Sequence, residues 1–235
     1  ATLTSESNVY EFNSPDHSAG TTFSLTVKYK INPDFTLKGT FAGTQQMTHS
    51  KTATFHNSLL ALHYKPIVLS TNLTLFLSSA GTLPTNILDR QHNSFNGALS
   101  VATALQQKIN IFKSLYTLTY SGQIKRHFHQ YHRNSRDIAN IANNGLLNVS
   151  LSKAFTKSFS VNLTAGQSSA QTYQGVLFNF FDLSQSISYA INRDTFFSMG
   201  HTNNANIFQP DGASSNIALF DKRSSRYFAS LTYAF

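Results

Sequence analysis

The sequence of 235 residues contains no cysteine and no tryptophan, and only 12% of its residues are charged. The absence of cysteine excludes a disulfide-stabilised scaffold, a thiolate metal site and a cysteine nucleophile. The charged fraction is well below the roughly 25% of an average chain. Because 40% of the residues are hydrophobic and 13% are aromatic, the chain is too apolar to be disordered. We therefore expect a folded protein whose surface is not an ordinary water-facing one.

Long apolar runs are missing as well. The longest segment without a charged residue, 66–88, is interrupted by serine, threonine, asparagine, glycine and proline, whereas a membrane-spanning helix needs about 20 predominantly apolar residues. The sequence therefore predicts no transmembrane helix. The first eight residues, ATLTSESN, lack the basic and apolar regions of a signal peptide. We interpret this start as the processed N-terminus of an exported protein.

Apolar and polar residues alternate with a period of two from one end of the chain to the other, which is typical of β-strands. In the clearest example Phe23, Val27 and Tyr29 alternate with threonine, serine and lysine. The pattern predicts a strand at 2–12, a strand at 224–235 and, between them, five hairpins. Their predicted tight turns are 32–34, 65–66, 106–108, 156–157 and 192–194.

Longer polar segments separate these hairpins. Short connections at one end and long ones at the other are typical of transmembrane β-barrels, and an even strand number places both termini at the short-turn end, as such barrels require. A soluble sandwich is the alternative, but its solvent-facing sides would carry more Lys, Glu and Asp. The predicted long loops are at about 13–20, 45–53, 80–92, 126–143, 167–174 and 209–222.

We therefore predict an all-β fold, an antiparallel up-and-down transmembrane β-barrel of about twelve strands with short periplasmic turns and longer extracellular loops. No linker, repeat or low-complexity segment divides the chain, so we expect residues 1–235 to form one domain. The phase of the first strand is open, because Leu3 and Val9 suggest one face whereas Tyr10 and Phe12 suggest the other. If Glu6 and Glu11 face inward, the barrel interior is less basic than the other strands indicate.

The last strand ends in Phe235, with Tyr233 two residues earlier and Leu231 and Tyr227 at preceding alternate positions. This segment resembles the C-terminal signal of Gram-negative outer-membrane β-barrel proteins. The resemblance implies a location in the outer membrane of a Gram-negative cell and recognition of these four residues by the barrel assembly machinery. By size and strand number the chain is also similar to the small porins for acidic sugars, although it shares no motif with them.

The missing tryptophan departs from the usual composition of the aromatic girdles at membrane interfaces. Phenylalanine and tyrosine must form the girdle in this chain. The candidates near the predicted short turns are Tyr29, Tyr64, Phe155, Phe159, Tyr189 and Phe197.

The face opposite the apolar one points into the lumen of a barrel, so parity assigns the lumen residues. Asp182 is the one acid with a clear lumen phase, and most other predicted lumen residues are small and polar. The predicted basic lumen residues, which would determine anion selectivity, are Lys28, Lys30, Lys38, Lys113, Lys125 and Arg226.

Eight-stranded barrels are filled by side chains and those with 16 to 18 strands enclose wide channels, so twelve strands predict a narrow lumen. A basic lumen within a low-dielectric wall favours anions. The sequence therefore predicts an outer-membrane porin, a narrow passive diffusion channel for small, preferably anionic solutes. A structural or adhesive barrel without conductance is the alternative.

A strongly basic segment lies in the predicted loop 126–143. It is expected to form a cationic mouth that attracts anions or binds lipopolysaccharide phosphates, for which arginine is suited. Its histidines lack a matching acidic or cysteine partner, so we expect neither a metal nor a cofactor. A nucleic-acid partner is not expected, because no recognised binding fold is present. The residues concerned are Arg126, His127, His129, His132, Arg133 and Arg136.

His92 and Ser94 raise the possibility of an enzyme. Their spacing resembles the His-x-Ser pair of a twelve-stranded outer-membrane phospholipase family, and it would allow a base to lie near a nucleophile. Parity from Phe95, Leu99 and Val101 places both on the lumen face, whereas lipid hydrolysis needs them to face the bilayer. The second motif of that family, Arg-Ser-Trp-Asn, is absent. We therefore do not expect an enzyme, and a lipid hydrolase remains the less favoured alternative.

Overall fold

The structure of the protein, a computed structural model, describes residues 1–8, 10, 14, 16–48, 52–112, 114–208 and 214–235. Strands dominate these ranges, together with one short helix, α1 (Ile87–Asn93). No helix in them is long and apolar enough to cross a membrane. The strand segments are β1 (Thr2–Asn8), β2 (Ala19–Lys30), β3 (Phe35–Gln46), β4 (Ala53–Phe55), β5 (Ser58–Tyr64), β6 (Ile67–Ser70), β7 (Leu73–Leu83), β8 (Phe95–Ile111), β9 (Ser114–His129), β10 (Ile141–Ala154), β11 (Phe159–Thr172), β12 (Leu177–Ala190), β13 (Thr195–Asn206) and β14 (Ser225–Tyr233).

All these segments belong to one antiparallel sheet that closes on itself. β1 pairs with both β2 and β14, so the first and last strands form the closing seam. β4, β5 and β6 together occupy one position, because β3 pairs with β4 and β5 while β7 pairs with β5 and β6. The result is a closed barrel of twelve strands, which confirms the fold class predicted from the alternation.

Three of the predicted tight turns are confirmed, at 32–34, 156–157 and 192–194. Two of them have the same local chemistry. The Asn32 side-chain oxygen accepts hydrogen bonds from the backbone N–H groups two and three residues later, at 2.9 and 2.8 Å. Asn192 repeats this arrangement with the same two distances. Such an Asx turn reverses the chain without backbone strain.

The predicted turn at 65–66 is wrong. Pro66 lacks an N–H and interrupts the ladder there, but the barrel strand resumes as β6 and the chain reverses between Ser70 and Leu73. Lys65 lies in the interruption, and its Nζ is 2.6 Å from Oδ1 of Asp34 in a neighbouring turn. The proline therefore breaks one strand instead of separating two.

The predicted turn at 106–108 is also wrong. These residues lie inside β8, which continues until Ile111 pairs with Ser114. Gln106 and Lys108 face the lumen, where polar side chains are expected, and in the sequence they resemble a turn. A strand of a barrel can therefore extend well past the point where its apolar alternation fades.

The longer connections are all at the opposite end of the barrel from the tight turns, as predicted. The connections that follow β9 and β11 are shorter than predicted, because β9 continues to His129 and β11 to Thr172. Ala1 and Ala234 lie at the short-turn end of the closing seam, where the N–H of Ala234 donates to the carbonyl of Asp194 at 2.8 Å. The connections lie at 9–18, 47–52, 84–94, 130–140, 173–176 and 207–224.

Candidate functional site

The two faces of the barrel wall differ in the way the alternation predicts. Large apolar side chains are exposed on one face, including Val27 (52%), Leu99 (61%) and Leu147 (68%). The opposite face of the same strands carries hydroxyls that bond across neighbouring strands, such as Thr26 and Thr40 with 3.2 Å between their oxygens. Exposed apolar area on this scale is unfavourable in water, so the apolar face is suited to lipid and the polar face to a wet lumen.

Aromatic residues are concentrated on the apolar face near the short turns. The rings of Phe155 and Phe159 are 5.8 Å apart, and Lys153 extends over Tyr116 and Phe155 with its Nζ 4.9 and 4.6 Å from the ring centroids. Aromatic rings beside a lysine are typical of a membrane interface. The six predicted girdle residues lie at this end, namely Tyr29, Tyr64, Phe155, Phe159, Tyr189 and Phe197.

Three lysines form a cluster on the lumen face near the short turns. Lys28 of β2 and Lys38 of β3 are direct register partners, and Lys30 follows on the same face of β2. We call these three residues the lower basic cluster. His63 of β5 lies on the same face, because it pairs with Thr36 of β3. None of the three lysines forms a salt bridge with a carboxylate in the described ranges, so the positive charge of the cluster is available to solutes.

The predicted lumen lysine Lys113 lies outside the described residues, whereas Lys108 is a lumen residue that the sequence reasoning missed. Lys108 of β8 pairs with Thr117 of β9, and Lys125, on the same face of β9, pairs with Ser100. Because the sequence reasoning placed a turn at 106–108, it did not assign Lys108 to a face of a strand. The parity of β8 would have identified it if the strand had been extended.

Arg226 faces the lumen as predicted, but its charge is partly neutralised. Glu6 shares the lumen face, since it pairs with Phe228 on β14 while Leu3 faces outward with 48% exposure. The Oε2 of Glu6 is 3.8 Å from Nη1 of Arg226. Both side chains are about half exposed, so the pair contributes little stability. This phase answers the question about the first strand for Thr2–Asn8 and makes the upper lumen less basic, whereas Glu11 lies outside the described residues. The other lumen acid, Asp182, accepts a hydrogen bond of 3.2 Å from Asn204.

His127 and His129, predicted in a loop, lie in β9 and share the lumen face with Lys125. Arg126, between Lys125 and His127, faces outward, where its Nη1 donates to the side-chain oxygen of Asn143 at 2.9 Å. The sequence placed the end of the strand too early because these residues are strongly polar. A β-strand that leaves the bilayer no longer needs an apolar face, so its alternation disappears before its ladder does.

Phe95 faces the lumen. The alternation with Leu99 and Val101 predicted that it faces outward, and this prediction is wrong. A bulge between Phe95 and Gly97 shifts the register by one residue, which reverses the face. Gly97 has a φ of 141°, a conformation that favours glycine. Phe95 is 5% exposed, and its ring centroid is 6.0 and 5.5 Å from those of His127 and His129. The bulge therefore places an aromatic ring inside the upper lumen.

Bulky apolar side chains occupy several other lumen positions, which the sequence reasoning described as small and polar. Gly200 of β13 makes room for one of them, because ring carbons of its register partner Phe228 are 2.8 Å from the position that a Cβ would occupy. These residues narrow the lumen. By register they are Leu59, Phe76, Leu146, Phe180 and Phe228.

Helix α1 covers part of the long-loop end of the lumen. Asn86 caps it by accepting from the N–H groups of Leu88 and Asp89 at 2.9 and 3.3 Å. The Asp89 carboxylate accepts from Asn57 at 2.6 Å and from Asn93 at 3.0 Å. The bond from Asn57, which precedes β5, holds the helix against the barrel mouth, whereas the bond from Asn93 lies within the helix.

A cavity of about 630 Å³ lies beneath α1, and we call it the outer chamber. Lys125 and His129 line it from the wall, and Asp89 and Asn93 line it from the helix. Asn140 closes another side, donating to the carbonyls of Asn93 and Tyr131 at 3.0 and 2.9 Å. Solutes entering from the long-loop end therefore meet a polar vestibule with both signs of charge.

His132, Arg133 and Arg136 lie in the 130–140 connection, as predicted. Arg133 is paired with Asp137 at 2.9 Å, and the ring of His132 stacks on Tyr173 with centroids 4.4 Å apart. Among the described residues no group of three His, Asp or Glu side chains could hold a metal ion. The basic charge at this mouth is therefore shared between the strand β9 and the loop that follows it.

His92 and Ser94 do not lie on a strand, so the parity argument for them is wrong. His92 is in the last turn of α1, and Ser94 follows it as the left-handed C-cap with a φ of 53°. The His92 Nδ1 contacts the hydroxyl of Ser135 at 3.1 Å. No carboxylate in the described part of the chain bonds to His92, so the third group that orients a catalytic base is missing there.

The C-terminal strand closes the barrel. β14 pairs with β13 on one side and β1 on the other. Tyr227, Leu231 and Tyr233 are half exposed on the outer face, and Phe235 is 82% exposed with its ring 6.1 Å from that of Tyr233. The four predicted signal residues thus form an outward-facing row beside the seam.

No family model and no curated protein matches the sequence. The structure is similar to an outer-membrane channel from Pseudomonas putida F1, with a TM-score of 0.68, 11% identity and coverage of 100% of this chain and 94% of that one. It is also similar to the NanC porin (TM-score 0.62, 10% identity, coverage 100% and 99%) and to the KdgM porin (0.54, 8%, 100% and 99%). The protein therefore has the fold of outer-membrane β-barrel channels.

Proposed function

We propose that the protein is a porin of the Gram-negative outer membrane, a narrow passive diffusion channel with a preference for small anionic solutes. The observation that carries this proposal is the lower basic cluster, in which Lys28, Lys30 and Lys38 share the lumen face without a carboxylate partner among the described residues. Charges that line a low-dielectric wall concentrate counter-ions along it. The cluster would therefore attract anions and repel cations at the short-turn end.

The balance of charge changes along the lumen, and this change supports the proposal. At the long-loop end positive residues are accompanied by acids, because Glu6 pairs with Arg226 and Asp89 borders the same chamber as Lys125. At the short-turn end no carboxylate of the described residues pairs with the lysines of the lower basic cluster. A solute anion would thus enter a mixed vestibule and meet its strongest attraction deeper in the barrel.

The partners of such a channel are small solutes, the surrounding outer-membrane lipid and lipopolysaccharide, and the barrel assembly machinery. The outward row Tyr227, Leu231, Tyr233 and Phe235 is accessible beside the seam, which supports recognition by that machinery. Passive diffusion requires neither a cofactor nor a catalytic group. We accordingly propose no enzymatic activity.

Reversal potentials of the purified protein in planar bilayers under a salt gradient test the proposal. We expect ion conductance with an anion-selective reversal potential. A cation-selective potential would refute the anion preference. Folded protein that inserts without conducting would instead support a structural or adhesive barrel. A lipid-hydrolysis assay with Ser94→Ala tests the enzymatic alternative, which predicts activity that this substitution abolishes.

A further inference from the structure

A groove crosses the apolar face of the wall, running from Phe35, Leu62 and Tyr64 of β3 and β5 near the short-turn end over β7 to β11 towards the long-loop end. Its volume is about 740 Å³, and a second depression of about 640 Å³ adjoins it along Thr103, Gly122 and Leu147. Small residues form the floor, and a Cβ added to Gly145 would meet no atom within 4 Å. Ile124 (74% exposed) and Leu147 (68%) rise beside it. The groove is therefore open to the surroundings and apolar, and it lies on the outside of the barrel.

Arg126 lies at the end of this groove nearest the long loops. It follows Ile124 by two residues on the same face of β9, and its register partner Asn143 precedes Gly145 by two on β10. Its guanidinium carbon is 5.3 Å from the ring centroid of Tyr173. Asn143, which accepts from Arg126, donates in turn to Gln171 at 3.0 Å. The guanidinium is thus held in place at the edge of the apolar surface.

No carboxylate among the described residues pairs with Arg126. A second copy of the chain could not supply one from its strands either, because the acids of the described strands, Glu6 and Asp182, both face the lumen. A positive charge beside an apolar groove complements an amphiphile that is negative at one end and apolar along its length. Arginine binds phosphate in two parallel hydrogen bonds, which adds strength and orientation.

We propose that the groove and Arg126 together form a binding site for an anionic lipid of the outer leaflet, with a phosphate on Arg126 and one acyl chain along Gly145 and Gly122. The site rests on the proposed outer-membrane location with lipopolysaccharide as a partner, and it deepens that proposal by naming the residues that would bind the lipid. It lies on the outer wall and uses none of the lumen residues. It would fix one lipid to the side of the barrel formed by β7 to β11.

Native mass spectrometry of the full chain in detergent, with diphosphoryl lipid A and phosphatidylcholine as separate probes, tests this site. The wild type should retain lipid A in preference to phosphatidylcholine. Arg126→Gln removes the phosphate ligand and should weaken lipid A binding by about tenfold. Gly145→Leu fills the open groove and should weaken it to a similar extent. Matched controls are Lys153→Gln, an outward-facing cation near the short-turn end, and Gly39→Leu, an outer-face glycine that does not line the groove; both should bind as the wild type does.

Heat-dependent mobility on gels verifies that every variant is a folded barrel before binding is compared. Lipid A retention by Arg126→Gln within twofold of wild type, or equal retention of phosphatidylcholine, would overturn the proposal. So would a wild-type dimer that Gly145→Leu converts to a monomer, because the groove would then be an interface between copies. Lipid binding and conductance are measured separately, so a barrel that binds lipid A without conducting would refute the proposed channel and leave this site standing.

Discussion

Lys28 and Lys38 lie directly opposite each other on neighbouring strands and point into the same lumen. Like charges at such a cross-strand position destabilise a sheet, by roughly 0.2 to 1 kcal/mol for a typical pair. The cost is consistent with a role in solute passage, because a glutamate at either position would relieve it and at the same time remove the attraction for anions.

Replacing Lys38 with glutamine should reduce the preference for anions. In water, the interaction energy between a unit charge and an ion a few ångströms away is about 1 kcal/mol. This energy corresponds to a change of roughly fivefold in ion occupancy. We expect the permeability ratio of chloride to potassium to fall by two- to fivefold at most. Reversal potentials in planar bilayers measure this ratio.

Lys153→Gln is the matched control for that experiment. Lys153 lies near the short-turn end too, but on the outer face over Tyr116 and Phe155, so its loss should leave selectivity unchanged. Equal effects of Lys38→Gln and Lys153→Gln would show that net charge, and not the lumen cluster, sets the selectivity.

Removing the charge of Glu6 should strengthen the preference for anions. Glu6 partly neutralises Arg226 in the lumen, with 3.8 Å between the charged atoms. Glu6→Gln frees the guanidinium, whereas Arg226→Gln leaves the carboxylate alone and should shift the reversal potential in the opposite direction. Because both side chains are about half exposed, we expect the stability of the barrel to change by less than about 1 kcal/mol in either case. Shifts of the same sign from both variants would contradict the pairing.

Gly200→Ala should destabilise the barrel. The added Cβ would overlap the backbone carbonyl oxygen of Gln185 and would lie 2.8 Å from ring carbons of Phe228, and relieving these contacts requires the strand and the ring to move. Overpacking of this kind typically costs about 1 to 3 kcal/mol. Gly145→Ala is the control, because its Cβ enters open space, and its effect should stay within about 0.5 kcal/mol. Urea unfolding in lipid vesicles measures both values, and equal stabilities would argue against the close packing of Phe228.

Asp89→Ala should increase the conductance. The substitution removes the bond from Asn57, which ties the helix to the barrel, as well as the bond from Asn93 within the helix. A hydrogen bond to a charged group contributes about 1.5 to 3 kcal/mol. Helix α1 should then leave the mouth of the barrel more often, which single-channel recordings would show as larger and noisier currents. An unchanged conductance would mean that α1 does not limit the flow of ions.

Two further variants separate the possible causes of that change. Asp89→Asn removes the charge but keeps an oxygen that can accept a hydrogen bond, so it should alter selectivity more than conductance. Asp137→Ala removes an exposed acid of the 130–140 connection that pairs with Arg133, and its conductance should equal that of the wild type.

The sequence predicted the strand number and the outer face well, because both follow from a period of two that the bilayer enforces. Turns with their own local chemistry were also predictable, as at Asn32 and Asn192, whose side chains accept the turn N–H groups. Lys28, Lys30 and Lys38 were placed in the lumen for the same reason, since they alternate with strongly apolar neighbours. Where the bilayer requires one face of a strand to be apolar, the alternation shows which residues face the lumen.

Beyond the apolar band this information is lost. The lumen phase of His127 and His129 was missed because the strand continues where no lipid requires an apolar neighbour. Phe95 was assigned to the wrong face because nothing in its composition reveals the bulge beside it, which depends on pairing with β9. The contacts of α1 and the phase of Glu6 likewise arise from segments distant in the chain, and periodicity carries no signal for them.

The seam between β1 and β14 has a consequence for the order of folding. The hydroxyls of Thr2 and Thr232 are 3.1 Å apart although 230 positions separate them in the chain, whereas the other strands pair with their neighbours in sequence. Contacts of such long separation carry the largest loss of chain entropy and form slowly. The hairpins can therefore assemble into an open, curved sheet first, and the late, slow event is the meeting of its two free edges.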